Sequence, residues 1–169
     1  MQHSIYDVDM NTRPTREGLA AWRAFLEAHH AVTTVLAEEL DEIGLPIGFY
    51  DVLVQLTEAE LAGLRMADLA RRVLLSKSGL TRLVDRMARE GLVARRPSPE
   101  DGRGYYVIAT PVGRTALRKA SPDHLRGVAK HFTSLLTDDE LAMITNAMTR
   151  VAESAGSEPA DEQHQPQMR

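Results

Sequence analysis

Residues 66–90 of this 169-residue chain read MADLARRVLLSKSGLTRLVDRMARE and decide its fold. They contain two short helical patterns separated by a brief break. The first pattern spans 66–73 and has its buried side at Leu69, Ala70 and Val73. The second spans 77–90, and its apolar residues recur at the i, i+3, i+4, i+7 spacing of an amphipathic helix. Those residues are Leu80, Leu83, Val84 and Met87. Ser76 is the predicted N-cap, and Gly91 ends the helix.

The outward face of helix 77–90 is almost entirely polar. Its residues are Lys77, Ser78, Thr81, Arg82, Asp85, Arg86 and Arg89. Short hydroxyl side chains can approach base edges closely, and arginine can read guanine with two hydrogen bonds or bind phosphate. A helix that contacts protein would more often expose apolar side chains here. The pattern therefore predicts a recognition helix for the major groove of DNA.

A basic hairpin follows the recognition helix. The segments LVARRP (92–97) and YYVIA (105–109) have the character of strands, and the loop SPEDGRG joins them. Arg95, Arg96 and Arg103 surround the tip, which suits the negative potential of the minor groove. Asp101 is placed to hold a neighbouring arginine side chain. Taken alone, the hairpin is equally compatible with an exposed turn bearing incidental charges. The order helix, turn, helix, hairpin is that of a winged helix-turn-helix.

The charge distribution supports a polyanionic partner. The net charge is −4, but residues 63–119 hold 13 Lys and Arg against 5 Asp and Glu, whereas the rest of the chain holds 7 against 19. A basic segment inside an acidic protein is the electrostatic pattern of local nucleic-acid binding. A merely solvated basic surface is the alternative interpretation.

Helices are predicted on both sides of this motif, so the expected fold is mainly α with a small β-hairpin wing. A long helix is predicted over 15–43 and a second over 48–57. Thr110 and Pro111 begin another that runs towards Leu136, with a bend near Ser121-Pro122. A capping box at 137–140 opens a last helix to about Ser154. The segments 1–14 and 155–169 are predicted to be flexible tails.

Several other classes of function are disfavoured. The chain has no cysteine, so thiolate catalysis, disulfides and cysteine-ligated zinc are excluded. No set of nucleophile, base and orienting residue is visible, so an enzyme is not expected. Glu27 and His30 have the spacing of a carboxylate–histidine metal pair, but in a single copy, and neither a metal nor a cofactor is expected. Without a signal peptide or a long apolar run, a cytoplasmic protein with no membrane partner is expected.

The segment 76–117, with the leucine–alanine helix before it, resembles the DNA-binding core of the MarR (multiple antibiotic resistance regulator) transcription factors. The resemblance is carried by the recognition helix, by Arg95 in the strand that follows it, and by four short motifs. These are Leu69-Ala70, Gly91-Leu92-Val93, Asp101-Gly102-Arg103 and Thr110-Pro111-Val112-Gly113. The chain departs from the family pattern at Gly102, where a second arginine is common, and at Ala109, where leucine is usual. The first departure concerns wing contacts rather than the family.

The resemblance implies a homodimer in which helices within 15–45 and 111–154 intertwine around a winged helix-turn-helix domain at 46–110. It also implies a cleft for a small aromatic or anionic effector. The amphipathic candidates for that cleft are Trp22, His29, Phe49, Tyr50 and His124. Trp22 is equally suited to be a core anchor. His124 and His131 share one helical face and suit a pocket, an acidic partner or the dimer seam.

The predicted function is a transcriptional regulator, expected to be a repressor, that binds palindromic double-stranded DNA as a homodimer. The predicted DNA-contacting residues are Ser76, Lys77, Ser78, Thr81, Arg82, Arg86, Arg95, Arg96, Asp101 and Arg103. The alternative is a winged-helix interaction module that binds protein or DNA nonspecifically without regulating a gene.

Overall fold

The computed structural model describes residues 13–59, 62–73, 77–98 and 104–156. Within these ranges the chain is mainly helical, as predicted, with three short strands. The elements are α1 (Arg16–Glu42), α2 (Ile47–Glu58), β1 (Leu64–Arg65), α3 (Met66–Arg72), α4 (Lys77–Arg89), β2 (Val93–Pro97), β3 (Tyr105–Ala109), α5 (Pro111–His131) and α6 (Asp138–Gly156). The two helical patterns at 66–90 are thus α3 and α4, and the winged helix-turn-helix is confirmed.

The chain forms two compact units, the first ending at Val128 and the second beginning at Ala129. The predicted separation into dimerisation helices and a DNA-binding domain remains a prediction. Of the predicted flexible tails, residues 1–12 and 157–169 lie outside the described residues. The C-terminal tail was predicted to begin at 155, but α6 continues through Gly156.

The core of the first unit is built around α2. Val52, Leu53 and Leu56 on this helix have no exposed side-chain surface. The apolar stripe of α4 packs into the same core, together with Leu69 of α3 and Val107 of β3. Each such side chain contributes about 1.5–3 kcal/mol when it is removed from water. The core thus fixes α4 by its apolar face and leaves Thr81 and Arg82 exposed on the opposite face.

The sheet has one strand more than predicted. The order is β1-β3-β2, with both pairings antiparallel. The hairpin pairs Val93 with Ala109 and Pro97 with Tyr105, as its sequence indicates. Leu64 pairs with Val107 on the other side of β3. The prediction of a two-stranded hairpin was therefore incomplete: β1 has only two residues, too few to show an alternating pattern.

The corner between the wing and α5 is closed by Thr110. Its Oγ1 accepts a hydrogen bond from the Gly113 N–H at 3.0 Å, which confirms the predicted N-cap. The same hydroxyl donates to the carbonyl oxygen of Gly91 at 2.6 Å, at the end of α4. Gly91 has φ +73°, a left-handed conformation that glycine adopts without strain. Thr110 therefore joins the end of the recognition helix to the start of α5.

The fifth helix is shorter than predicted. It ends at His131 and does not reach Leu136, because Phe132 leaves the helical region with φ −138°. A 3₁₀ turn at Thr133–Leu135 follows. The predicted capping box is present: the Thr137 N–H donates to a Glu140 carboxylate oxygen at 2.8 Å, and the Glu140 N–H donates to Thr137 Oγ1 at 3.3 Å. The hydrogen bonds from Thr137 lower the pKa of Glu140.

Candidate nucleic-acid interface

Helix α4 separates its residues sharply into two faces. Leu80, Val84 and Met87 are fully buried, while Thr81 and Arg82 are exposed on the opposite side. Ser76, the predicted N-cap, lies outside the described residues, as do the side chains of Lys77 and Ser78. The described part of the helix therefore presents a polar surface on a rigidly packed support. That is the arrangement a groove-reading helix requires.

Arg86, predicted to contact DNA, has two partners within the protein. Its guanidinium lies over the ring of Phe49, with the Cζ atom 4.8 Å from the ring centroid. Its Nε donates to Glu90 at 3.1 Å, one turn further along α4. The Phe49 ring is buried, 1% exposed, so Arg86 covers the core from outside. These contacts give Arg86 a structural role whether or not it also reaches DNA.

Arg95 on β2 is held by Asp85 of α4. The two side chains form a hydrogen-bonded ion pair, and that hydrogen bond raises the pKa of Arg95. The guanidinium also lies over Tyr105, 5.0 Å from the ring centroid. The sequence predicted that Asp101, which lies outside the described residues, would orient a neighbouring arginine. Asp85 performs that task for Arg95. The sequence feature that could have predicted this role is the position of Asp85 on the outward face of α4, a few residues before a basic strand.

Arg96 and Arg82 differ in their surroundings. The Arg96 Nη2 donates to the carbonyl oxygen of Ala62 at 2.6 Å. Arg82 has no hydrogen bond, ion pair or ring contact with any residue that the structure describes. Both side chains are exposed. Among the predicted arginines within the described ranges, Arg82 is thus the one whose guanidinium is uncommitted. Arg103, at the wing tip, lies outside those ranges.

The residues predicted to line an effector cleft fall into two groups. Tyr50 and His124 are in contact, with ring centroids 4.3 Å apart. The Tyr50 hydroxyl donates to Ser121 Oγ at 3.5 Å. Burial lowers the pKa of His124, and the nearby carboxylates of Asp51 and Glu39 offset part of this effect. His124 therefore has acidic neighbours, one of the alternatives left open by the sequence.

The second group lies along α1. The Trp22 and Phe25 rings stack with centroids 5.9 Å apart, and Phe25 is followed by His29 at 6.1 Å. Trp22 is 57% exposed, so it is not an anchor of the core of this chain. Phe49 is buried in the core beneath Arg86. An effector could reach its ring only after a rearrangement.

The first unit also has an open groove of about 620 Å³, which contains none of the predicted effector residues. It lies where the end of α1, the end of α4 and the first turns of α5 meet. Ile43, Leu92 and Val112 contribute apolar surface, and Glu90 and Lys119 contribute charges.

In the described ranges, no helix is long and apolar enough to cross a bilayer. No group of three metal-binding side chains was found in the same ranges.

Known proteins resemble this chain in both sequence and structure. The MarR family model matches residues 43–104. The structure is similar to that of AbsC, a MarR family transcriptional regulator from Streptomyces coelicolor, with a TM-score of 0.80 and 34% identity over 86% of this chain and 99% of that one. Sco3205 from the same organism is a MarR family regulator solved in complex with DNA. Its TM-score is 0.80, with 31% identity over 89% of this chain and 97% of Sco3205.

The chain belongs to the MarR family. Its identity to AbsC over nearly the whole of that protein establishes the relationship. A further relative is the HTH-type transcriptional repressor YetL of Bacillus subtilis, 33% identical over 86 residues, which are 51% of this chain and 52% of YetL. This MarR family protein is a DNA-binding transcriptional regulator and not an enzyme, as its sequence predicted.

Proposed function

We propose that this MarR family protein binds a palindromic operator as a homodimer, with α4 of each subunit in the major groove of one half-site, and that it represses transcription there. The observation that carries this proposal is the division of α4 into a fully buried apolar face and an exposed polar face. Sco3205, a relative with the same fold, was solved in complex with DNA, which supports DNA as the partner.

Base reading is assigned to the exposed polar side of α4. Thr81 and Arg82 are exposed and lie one helical step apart, so both can face base edges. Lys77 and Ser78 are the first two residues of α4, at the end of the helix where phosphate is favoured, and Ser76 precedes them in the sequence. Arg86, Arg95 and Arg96 contact phosphate from positions that their protein partners fix. Asp101 and Arg103 bring the wing tip to the minor groove.

Dimerisation is supported by apolar surface that the single chain leaves exposed. On α1 it is formed by Leu19, Trp22, Phe25 and Leu26. In the second unit the exposed apolar side chains of α6 are Met143, Ile144, Met148 and Val151. Contiguous apolar patches of this kind are typical of protein–protein interfaces. A two-fold dimer would place two recognition helices on half-sites about 10 base pairs apart or a multiple of this.

Repression follows from where such a dimer would bind. A protein that occupies an operator overlapping a promoter excludes the polymerase from it. YetL, the relative named above, is a repressor. Release of the operator by a small aromatic or anionic ligand would then switch the gene on.

The Tyr50–His124 contact is the proposed part of the effector site. The Nδ1 atom of His124 is buried and has no hydrogen-bond partner among the residues that the structure describes. A ligand that supplies a carboxylate or phenol there would satisfy it. Trp22 and His29 would complete the site from the partner subunit or from the same chain. The ligand lowers DNA affinity only if it favours a dimer shape that misplaces the two α4 helices.

Selection of bound DNA from a random pool tests the operator proposal. The full-length protein should recover a palindrome, and its affinity should exceed nonspecific binding at the same salt concentration by about 10³-fold or more. A fragment that ends before Thr110 retains α3, α4 and the wing but should lose the palindrome. Recovery of unrelated sequences, with affinity that disappears at moderate salt, would favour the nonspecific interaction module.

The effector proposal is tested by thermal shift with aromatic carboxylates and phenols. A ligand that stabilises the protein is then titrated with and without operator DNA. Linkage requires that DNA lower the ligand affinity by the same factor by which the ligand lowers DNA affinity. Equal ligand affinities in the two titrations, or a full response from Trp22→Ala and His124→Ala variants, would contradict the proposed site.

A further inference from the structure

The base of the wing contains a buried hydroxyl group. Ser98 follows β2 directly and is only 6% exposed. Its N–H donates to the carbonyl oxygen of Gly104 at 2.9 Å, which closes the wing loop. Its Oγ accepts a hydrogen bond from the Arg65 Nη2 at 3.2 Å. The Ser98 side chain is therefore directed into the protein and is not available to DNA.

Arg65 reaches this hydroxyl across the sheet. It lies on β1, at one edge, and pairs with Tyr106 of the central strand β3. Its guanidinium lies over the Tyr106 ring, with Cζ 5.3 Å from the centroid. From there it continues to Ser98, just beyond the end of the opposite edge strand β2. A single side chain thus spans all three strands on one face.

A second arginine crosses the same face in the opposite direction. Arg96 of β2 donates to the carbonyl oxygen of Ala62 at 2.6 Å, immediately before the turn that leads into β1. Arg96 also pairs with Tyr106, so both crossings pass the same central residue. The backbone pairs β1 only with β3. The two arginines add the connection between β1 and β2 that the backbone lacks.

This connection matters because β1 leads directly into α3, the first helix of the helix-turn-helix. We infer that Arg65 is a positioning residue that fixes the wing relative to α3 and α4, acting through Ser98 and not through a contact of its own with DNA. The inference rests on the proposed contact between the wing and DNA. A wing released at its base would sample many orientations, and binding would have to restrict them at a cost in affinity.

Four variants test the inference, with the selected operator as the probe. Ser98→Ala removes the acceptor without changing any charge, and Arg65→Met removes the donor. Each should weaken operator binding on the order of tenfold, the expected effect of losing one hydrogen bond to a charged group. The Arg65→Met/Ser98→Ala double variant should be no weaker than the single variants, because both remove the same link. Ser98→Thr, which keeps the hydroxyl, should retain the parent affinity.

The salt dependence separates positioning from direct contact. If Arg65 acts through Ser98, both single variants should keep the parent slope of log affinity against log salt. If Arg65 instead binds phosphate, Arg65→Met should lower the slope by about 0.9 per contact while Ser98→Ala binds like the parent. That second result would overturn the inference.

Arg103→Ala at the wing tip distinguishes failure of the inference from failure of the proposed function. If Arg103→Ala weakens binding but Ser98→Ala and Arg65→Met do not, the wing contacts DNA and only the inference is wrong. If Arg103→Ala is silent, the wing is not used and both fail. In an Arg103→Ala background, Ser98→Ala should cause little further loss. If Ser98→Ala lowers the operator affinity by a further tenfold in that background, the cause is general destabilisation and the inference is wrong. The same holds if Ser98→Ala lowers the melting temperature while its folded fraction binds the operator like the parent.

Discussion

The imidazole of His124 lies against the phenol ring of Tyr50, 4.3 Å between centroids, with the carboxylates of Asp51 and Glu39 nearby. Helices α1, α2 and α5 thus each contribute a titratable group to one junction. Burial lowers the pKa of His124 from its ordinary value of 6.5, and it raises the pKa of Asp51. Burial therefore favours the neutral form of both groups at this junction.

The protein should lose stability as the pH falls below about 6.5, the ordinary pKa of histidine. A histidine with a lowered folded-state pKa favours the neutral form, so unfolding takes up a proton below pH 6.5. The stabilisation is fully present above that value and is lost as the pH falls through the folded-state pKa. Urea unfolding of the parent and of His124→Gln should show this loss in the parent only.

Asp51→Asn provides the complementary variant. The Asp51 carboxylate partly offsets the lowering of the His124 pKa, so its removal should deepen the loss of stability at acid pH. A shallower loss in Asp51→Asn, or an unchanged loss in His124→Gln, would contradict this account of the junction.

Arg82→Ala and Arg86→Ala should separate DNA affinity from stability. Arg82 has no partner among the described residues, so its loss should cost about 1–3 kcal/mol of operator binding per base contact and leave unfolding unchanged within about 0.5 kcal/mol. Arg86 covers Phe49, so Arg86→Ala should lower the free energy of unfolding by about 0.5–1 kcal/mol. Fluorescence anisotropy with operator DNA and chemical unfolding provide the two measurements. Identical profiles for the two variants would refute the distinction.

Gly113→Ala should destabilise the protein, whereas Gly48→Ala should not. A Cβ at Gly113 would collide with the carbonyl oxygen of Leu92 and lie 2.9 Å from a methyl of Leu53. Because the first of these is backbone, overpacking should cost about 1–3 kcal/mol or more. Gly48 also lies near the start of a helix, but its Cβ would lie at an ordinary 3.6 Å from Leu83. Gly48→Ala should gain up to about 1 kcal/mol from helix propensity. Equal melting temperatures of the two variants would show that the backbone around Gly113 shifts to accommodate the added methyl group.

Trp22→Glu should dissociate the proposed dimer without unfolding the subunit. Trp22 is 57% exposed in the single chain, so its replacement should leave the helical content unchanged. If its ring is buried between subunits, its loss should weaken association by about 2 kcal/mol or more per copy. Ile43→Glu is the matched control, since Ile43 is 45% exposed just beyond the other end of α1. Analytical ultracentrifugation should find a monomer only for Trp22→Glu; a dimer there would place the interface elsewhere.

The helices could be predicted because their signals are local. The apolar spacing of α4, the Thr110 cap and the capping box at Thr137 each depend on residues within one or two turns. The strand β1 could not be predicted from the sequence, because its two residues are identified as a strand only by their pairing with β3. Likewise, helical spacing shows that Arg86 points outward but not that Phe49 lies beneath it. The partners of Arg65, Arg95 and Arg96 depend on tertiary contacts that no local pattern contains.

The pairing of Leu64 with Val107 also determines when the sheet can form during synthesis of the chain. The partners are 43 residues apart in the chain, and both helices of the helix-turn-helix lie between them. A ribosome adds about 5–20 residues per second, so roughly 2–9 seconds pass between the synthesis of β1 and that of its partner strand β3. During that interval α3 and α4 can form their local turns, but their shared core lacks Val107. A nascent chain should therefore become competent to read an operator only when the return strand of the wing has emerged.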